Sequence, residues 1–421
     1  MKAFDYQNDI LCAGGIPVPE IVAKVGTPVY IYSAEHFRNQ YKTLQDTLTS
    51  IDSEIFYSVK ANSNLDVLAL FKKLGAGFDI VSGGELQRTI AVGCDPKKVI
   101  FSGVGKLAEE IDLALKVGIG CFNVESGSEL DRIIERAIIL GKQAPISIRV
   151  NPNIDPRTHP YISTGLKENK FGVSTSQAMD LYRISKNNPH INIVGIDCHI
   201  GSQIMEVAPL EESLTNLLGL AETLRNEGIE VQHIDIGGGI GVRYRDEPAF
   251  DLKNYGEILQ KKLAETGLRL LLEPGRFLVA NGGVLITRVE YLKHAESENE
   301  TNFAIVDGAM TDLLRPSLYN AWHNVQKVEQ VNQKQAKQWD VVGAVCESSD
   351  FLAKKRVLSL VADDLLAIMS AGAYGIGLSS NYNSRPRPAE VLVDGGQFKI
   401  IRRRENTRDQ LRLETYQAEN N

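Results

Sequence analysis

The sequence predicts an α/β chain: a closed (β/α)8 TIM barrel followed by a C-terminal, mostly β domain of sandwich or barrel-like type. Three observations predict it. A short β-branched run followed by a helical pattern recurs from about residue 54 to residue 276. After about residue 281 the helical spacing stops and strand-like runs with turn residues take over. At 421 residues the chain is long enough for two domains, each with its own core.

The barrel strands are expected in EIFYSVK (54–60), GFDIVS (77–82), VIFSGV (99–104), CFNVES (121–126), ISIRVN (146–151), IVGIDCHIG (193–201), VQHIDIGGG (231–239) and RLLLEPGR (269–276). Between them, stretches such as GGELQRTIAVG (83–93) and SELDRIIERAIILG (128–141) carry apolar residues at helical spacing. Eight strands over roughly 220 residues fit a barrel of about 250. An open doubly wound sheet is the alternative; the late glycine cluster at 237–241 does not complete its G-x-G-x-x-G signature. Residues 152–172, polar and punctuated by proline and glycine, are expected to form a lid at the barrel mouth. Beyond the barrel, LITRVEYLK (285–293), FAIVDGA (303–309), VVGAVC (341–346), LLAIMSAGAYG (365–375) and AEVLVDGGQFKII (389–401) are expected strands. VYIYS (29–33) precedes the rhythm and is assigned with them. The expected division is therefore 34–281 for the barrel, with 1–33 and 282–421 forming the β-rich domain.

Composition narrows the function classes. A net charge of −7, without a basic run or basic-aromatic stripe, gives no footprint for nucleic acid. Five scattered cysteines without C-x-x-C spacing argue against a disulfide framework and a zinc site, and for a reducing compartment. The N-terminus lacks the apolar stretch of a signal peptide and no run approaches a membrane span, so a cytoplasmic protein is expected.

In a barrel of this kind functional residues gather at the C-terminal ends of the strands. Those ends carry Lys60, Asp79 with Ser82, His199 with Ser202, the glycines 237–239, and the run from Glu273 to Arg276. Singly, each also fits a bland role: a snorkelling lysine, a core imidazole, glycines in tight turns. Together they point to one site. The loops after strands seven and eight, where such barrels often bind phosphate, are GGGIG and EPGR, and glycine lets backbone N–H groups approach an anion closely. A lysine that can form a Schiff base with an aldehyde stands at the end of the first strand. A phosphate site and such a lysine together describe pyridoxal 5'-phosphate.

The motifs YSVKAN (57–62), FDIVSGGEL (78–86), HIGSQ (199–203), DIGGG (235–239) and EPGR (273–276) resemble those of the fold-type III, alanine-racemase-like decarboxylases. STGLKENKFG (163–172), LLRPSLYNAWH (313–323) and CESSDFLA (346–353) narrow the resemblance to the diaminopimelate decarboxylase family. Ser349 stands where members of that family commonly carry glycine. The resemblance implies that Lys60 holds the cofactor covalently, Glu273 faces its ring nitrogen and keeps the ring protonated, and His199 stacks on the ring face. It implies a phosphate cradle around Gly238, Gly239, Gly275 and Arg276 with Ser202 and Tyr374, and Asp79 beside the lysine. Cys346 becomes the proton donor after CO2 leaves; a small buried hydrophobe is its bland alternative.

Substrate choice can be argued physically. Diaminopimelate carries a second amino-acid head, so its site needs cations and an anion at the far end, which Arg276, Arg315, Tyr319 and Glu347, with Tyr374, can supply. An ornithine or arginine decarboxylase on the same fold is the alternative, and a non-catalytic regulator a third reading that the presence of Lys60 and Cys346 argues against. The resemblance further implies a homodimer in which Cys346 and Glu347 complete the partner's site; the sequence itself gives no reason to expect a membrane or a metal.

Overall fold

The structure, a computed structural model, describes residues 3–155, 164, 169–297, 300–330 and 336–416. Most of the expected lid at 152–172 lies outside the described residues. The chain divides into two compact units, Arg38–Arg243 with Glu247–Leu278, and Met1–Phe37 with Tyr244–Asp246 and Val279–Asn421.

The first unit is a closed barrel of eight parallel strands: Ser53–Ser58, Gly77–Ile80, Val99–Phe101, Cys121–Val124, Ala144–Arg149, Ile191–Asp197, His233–Asp235 and Arg269–Leu272. The last strand pairs with the first, Leu272 opposite Ile55. The strands are shorter than the sequence runs, so Lys60, His199 and Glu273 lie just beyond them rather than in them. Lys60, for example, occupies a single 3-10 turn, Val59–Ala61. Serine caps start the helices after strands two and four: Ser82 Oγ accepts from Glu85 N and Ser126 Oγ from Glu129 N, both at 3.2 Å. Ser82, grouped with Asp79 from the sequence, is thus a helix cap.

The pleat decides what fills this barrel. Residues two apart face the same side of a strand. Phe56, Ile100, Cys121, Val194 and Leu271 form one apolar cluster. One pleat further toward the C-terminal ends come Ser58, Ser102, Asn123 and Glu273, all buried, with buried Asp79, Arg149, Asp197 and Asp235 from the other strands. The interior therefore changes from apolar to ionisable over about 7 Å of strand.

The second unit centres on Val29–Ser33, which runs antiparallel to Gly283–Lys293 and parallel to Ala389–Asp394. The N-terminal strand thus belongs with the C-terminal β structure, as its position before the rhythm suggests. The sheet continues outward through Asn302–Val306, Lys337–Val342 and Phe351–Leu358 on one side and Gln397–Arg402 on the other. Val29, Ile31, Val284, Ile286, Ala367 and Val391 form its core.

Candidate active site

In the barrel, Lys60 Nζ donates to Asp79 Oδ2 at 2.9 Å, and Ser58 Oγ lies 2.8 Å from the same oxygen. Asp79 is fully buried while the Lys60 side chain is 37% exposed, so the amine stands at the border of the buried cluster and the open end. Glu273 Oε1 accepts from Ser102 Oγ at 3.3 Å and from Asn123 Nδ2 at 3.4 Å. Asp197, Asp235 and Glu273 each bring a carboxylate oxygen within 4.8 Å of the others. Burial pushes all three upward, Asp235 to about 7; the Asp235 charge adds to this at Asp197 and Glu273, and the Asp79 charge adds to it at Asp235. Arg149 bonds Glu125 Oε1 at 2.6 Å and sits 3.9 Å from Asp197. Burial opposes its charge, but Glu125, Asp197 and Glu273 outweigh that and raise its pKa.

His199 is tied to the glycine loop, its Nδ1 accepting from Gly238 N at 3.1 Å. That bond sets the proton on Nε2. Burial, then the charges of Arg149 and Lys60, push the ring well below its ordinary pKa, so it is a neutral plate with a fixed tautomer. The Gly238 amide, expected in the phosphate cradle, is here engaged with His199. Absence of a side chain is what matters at these glycines: a Cβ on Gly238 would lie 2.2 Å from Glu273 O, and one on Gly239, at φ +102°, 2.5 Å from Gly201 O. Arg276 is 5% exposed and donates from Nη2 to Ser202 Oγ at 2.9 Å. Gly275 is buried beside it.

Arg315, Tyr319, Cys346, Glu347 and Tyr374 all belong to the β-rich unit. Cys346 is exposed, unlike the four other cysteines, which disposes of its reading as a buried hydrophobe. It lies in the loop between Lys337–Val342 and Phe351–Leu358. Buried Asp350 ties this loop down, accepting from Met310 N and Val345 N, both at 2.7 Å. Cys346 N donates to Asn383 Oδ1 at 2.9 Å, and Tyr382 Oη donates to Glu347 Oε1 at 2.7 Å. Ser349 is not among the residues with positive φ, so serine sits there without the strain that would demand glycine. Arg315 is buried against His323, and half-buried Tyr319 ends the same short helix, Arg315–Tyr319. Tyr374 adopts φ 54°.

The polar layer of Ser102, Asn123, Glu125, Arg149, Asp197 and Asp235 was not anticipated from the sequence. Its trace there is a charged or amide residue inside an apolar strand run, as in GIDC and HIDI.

The donor set matches one kind of group. An amine at the rim, a buried carboxyl that can receive a ring N–H, a neutral imidazole plate and a side-chain-free loop beside Ser202 and Arg276 suit a flat phosphorylated pyridine aldehyde. Residues 34–280 match the family model described as "Pyridoxal-dependent decarboxylase, pyridoxal binding domain". The diaminopimelate decarboxylase of Pseudomonas aeruginosa is 51% identical over 409 residues, 97% of this chain and 98% of that one. The Neisseria meningitidis serogroup A enzyme of the same name is 48% identical, covering 94% of this chain and 97% of its own. The crystal structure of diaminopimelate decarboxylase from Helicobacter pylori complexed with L-lysine superposes with a TM-score of 0.90 at 41% identity, over 94% of this chain and 98% of that one. The chain belongs to the pyridoxal-dependent decarboxylases, in their diaminopimelate decarboxylase family.

Proposed function

We infer that the protein decarboxylates meso-2,6-diaminopimelate to L-lysine and CO2, the last step of lysine biosynthesis, with pyridoxal 5'-phosphate as cofactor. The observation that carries this reading is the 51% identity to a diaminopimelate decarboxylase, which runs through both units. When bound, the cofactor supplies an aldehyde that captures the substrate amine and a protonated ring that takes up the electron pair released with CO2.

The chain's own residues do the rest. Lys60 Nζ would hold the cofactor through its aldehyde, and Asp79 Oδ2, 2.9 Å away, accepts from that amine while it stands free. Glu273 holds a proton at the ring nitrogen; its Oε1 is oriented by Ser102 and Asn123. His199, kept neutral, packs as a plate and adds no positive charge that would compete with the ring. Gly239, Gly275, Arg276, Ser202 and Tyr374 bind the phosphate, and Gly238 shapes the loop. Cys346 Sγ delivers a proton to the carbon that has lost CO2. Arg276, Arg315, Tyr319, Glu347 and Tyr374 bind the substrate, Arg315 holding the far carboxylate.

The enzyme is a homodimer in which Cys346 and Glu347 complete the partner's site. Their exposure supports this reading, since both side chains face outward where a second chain can meet them. It works in the cytoplasm, a reading supported by five unpaired cysteines. Among the described residues no helix is long and apolar enough to cross a membrane.

The test is CO2 release from purified, cofactor-loaded protein given meso-diaminopimelate, ornithine or arginine. A site built to pair a distal polar head rejects a substrate lacking it by roughly 10⁴ in kcat/KM. Comparable values for ornithine and diaminopimelate would overturn the substrate assignment.

A further inference from the structure

We propose that His323 is a positioning residue for substrate choice: it fixes the plane of the Arg315 guanidinium so that this arginine clamps a carboxylate at the far end of the substrate. The proposal deepens the reading above and rests on it.

Arg315 opens the short helix Arg315–Tyr319 and is 6% exposed. Asn320, in the left-handed region at φ 55°, ends the helix, and the chain turns back so that His323 meets the arginine eight residues earlier. Arg315 Nη1 lies 3.0 Å from His323 Nε2, and the other ring nitrogen, Nδ1, lies 2.8 Å from Met369 O. A carbonyl oxygen can only accept and a guanidinium nitrogen can only donate. Both bonds therefore form together only when Nδ1 carries the proton and Nε2 accepts from Arg315. A fully buried imidazole with both nitrogens committed has one orientation.

The surroundings hold that orientation. His323 O accepts from Arg356 Nη2 at 2.8 Å, and Arg356 in turn lies 3.3 Å over the Trp322 ring. The Tyr244 ring packs 4.7 Å from the Arg315 guanidinium carbon and edge-on to His323, with ring centres 5.4 Å apart. One aromatic face and one in-plane acceptor define both the tilt and the rotation of the fork.

Two consequences follow for recognition. Bidentate pairing of a guanidinium with a carboxylate demands coplanarity, so fixing the plane favours a planar anion over a neutral or cationic head. The Nδ1–H imidazole also carries no negative charge. It orients Arg315 without cancelling its charge, which a carboxylate in the same place would do.

Substrate and product share the far head, and 1,5-diaminopentane is L-lysine without its carboxylate, so the two isolate this contact. The experiment is calorimetric binding of each to the holoenzyme, native and variant, with KM and kcat for diaminopimelate alongside. His323→Asn can keep a donor for Met369 O but cannot reach Arg315. His323→Gln can present its amide oxygen where Nε2 stands. Losing an oriented charge-assisted pair should weaken L-lysine about tenfold in His323→Asn, leave 1,5-diaminopentane unchanged, and raise KM far more than it lowers kcat. His323→Gln should recover most of the loss. The double variant Arg315→Ala with His323→Asn should discriminate no worse than Arg315→Ala alone, because His323 acts only through Arg315. Should His323→Asn fail to fold, His323→Leu fills the space without an acceptor and carries the same expectation.

Equal weakening of both ligands would reduce His323 to a packing role and overturn the proposal. So would a folded His323→Gln that behaves like His323→Asn, or additive effects in the double variant. A native holoenzyme that does not prefer L-lysine over 1,5-diaminopentane, and that releases no CO2 from diaminopimelate, would instead bring down the substrate reading itself, and this proposal with it.

Discussion

In the barrel, Asp79, Asp197, Asp235 and Glu273 are between 0% and 5% exposed and sit among donors already in place, whereas in the β-rich unit Cys346 and Glu347 lie open on a loop. At Asp197, Asp235 and Glu273 burial disfavours the charge before any ligand arrives, which at Glu273 suits a group that must hold a proton against a ring. The loop residues are held at the backbone by Asp350 and Asn383 while their side chains face outward. One unit is prepared from within, and the other holds its reactive atoms open on a tied-down loop.

The comparison is broken most directly at Lys60. Lys60→Ala should lose all turnover above background, and borohydride reduction with peptide mapping should find no cofactor label, whereas the native protein is labelled at Lys60. A label retained on another lysine would move the covalent site elsewhere. Next in size, Glu273→Gln should lower kcat on the order of 10²-fold or more, the scale for removing one preorganised charge-stabilising group. It should not lower the melting temperature, because the carboxylate it removes is disfavoured by burial and by Asp235. A variant within threefold of native kcat would remove Glu273 from the ring nitrogen.

The β-rich unit is tested by complementation. Lys60→Ala and Cys346→Ala are each dead if the roles above hold. In a two-fold dimer with shared sites, a mixed dimer has one doubly damaged site and one intact site. With random equal mixing half the dimers are mixed, so about a quarter of native activity should return. If mass spectrometry confirms exchange and activity stays at the background of the separate variants, Cys346 serves its own chain or does not act.

The periodic strand–helix rhythm made the barrel legible, because both periods are written in apolar residues. The rim residues Lys60, His199 and Glu273 were legible because barrels put chemistry at strand ends. The layer beneath them was not. Asp197, Arg149 and Asp235 sit in runs whose apolar character identifies a strand. Only closure of the sheet brings Asp197 and Asp235 together with Glu273 in its interior. Contact between Arg315 and His323 was hidden for a different reason. It depends on the left-handed turn at Asn320, which no periodicity announces. Lys60 itself was placed one element out, since the strand stops at Ser58 and a single 3-10 turn presents the amine.

The smallest effect concerns stability. The Asp235 carboxyl is raised from the ordinary 3.8 to about 7, by burial first and by Asp79 among the charges. In the cofactor-free protein the folded state therefore keeps a proton across the window between those values that the unfolded chain has released. Stability from this source is full below about pH 4, falls as pH rises, and is gone above about 7. Asp235, Asp197 and Glu273 titrate as a set, so the slope belongs to the cluster, but removing one member must shrink it. Asn at 235 keeps an oxygen for Gly237 N, which now donates to Asp235 Oδ1 at 2.8 Å, and cannot ionise. Asp235→Asn should thus match native melting near pH 4 and exceed it by a few degrees, roughly 1–2 kcal/mol, near pH 8. Melting curves of the cofactor-free proteins across that range decide the matter. An unchanged slope, or a variant that melts lower at pH 8, would mean that the cluster is compensated in the folded state, and that the barrel's acids are not the strained half of the comparison.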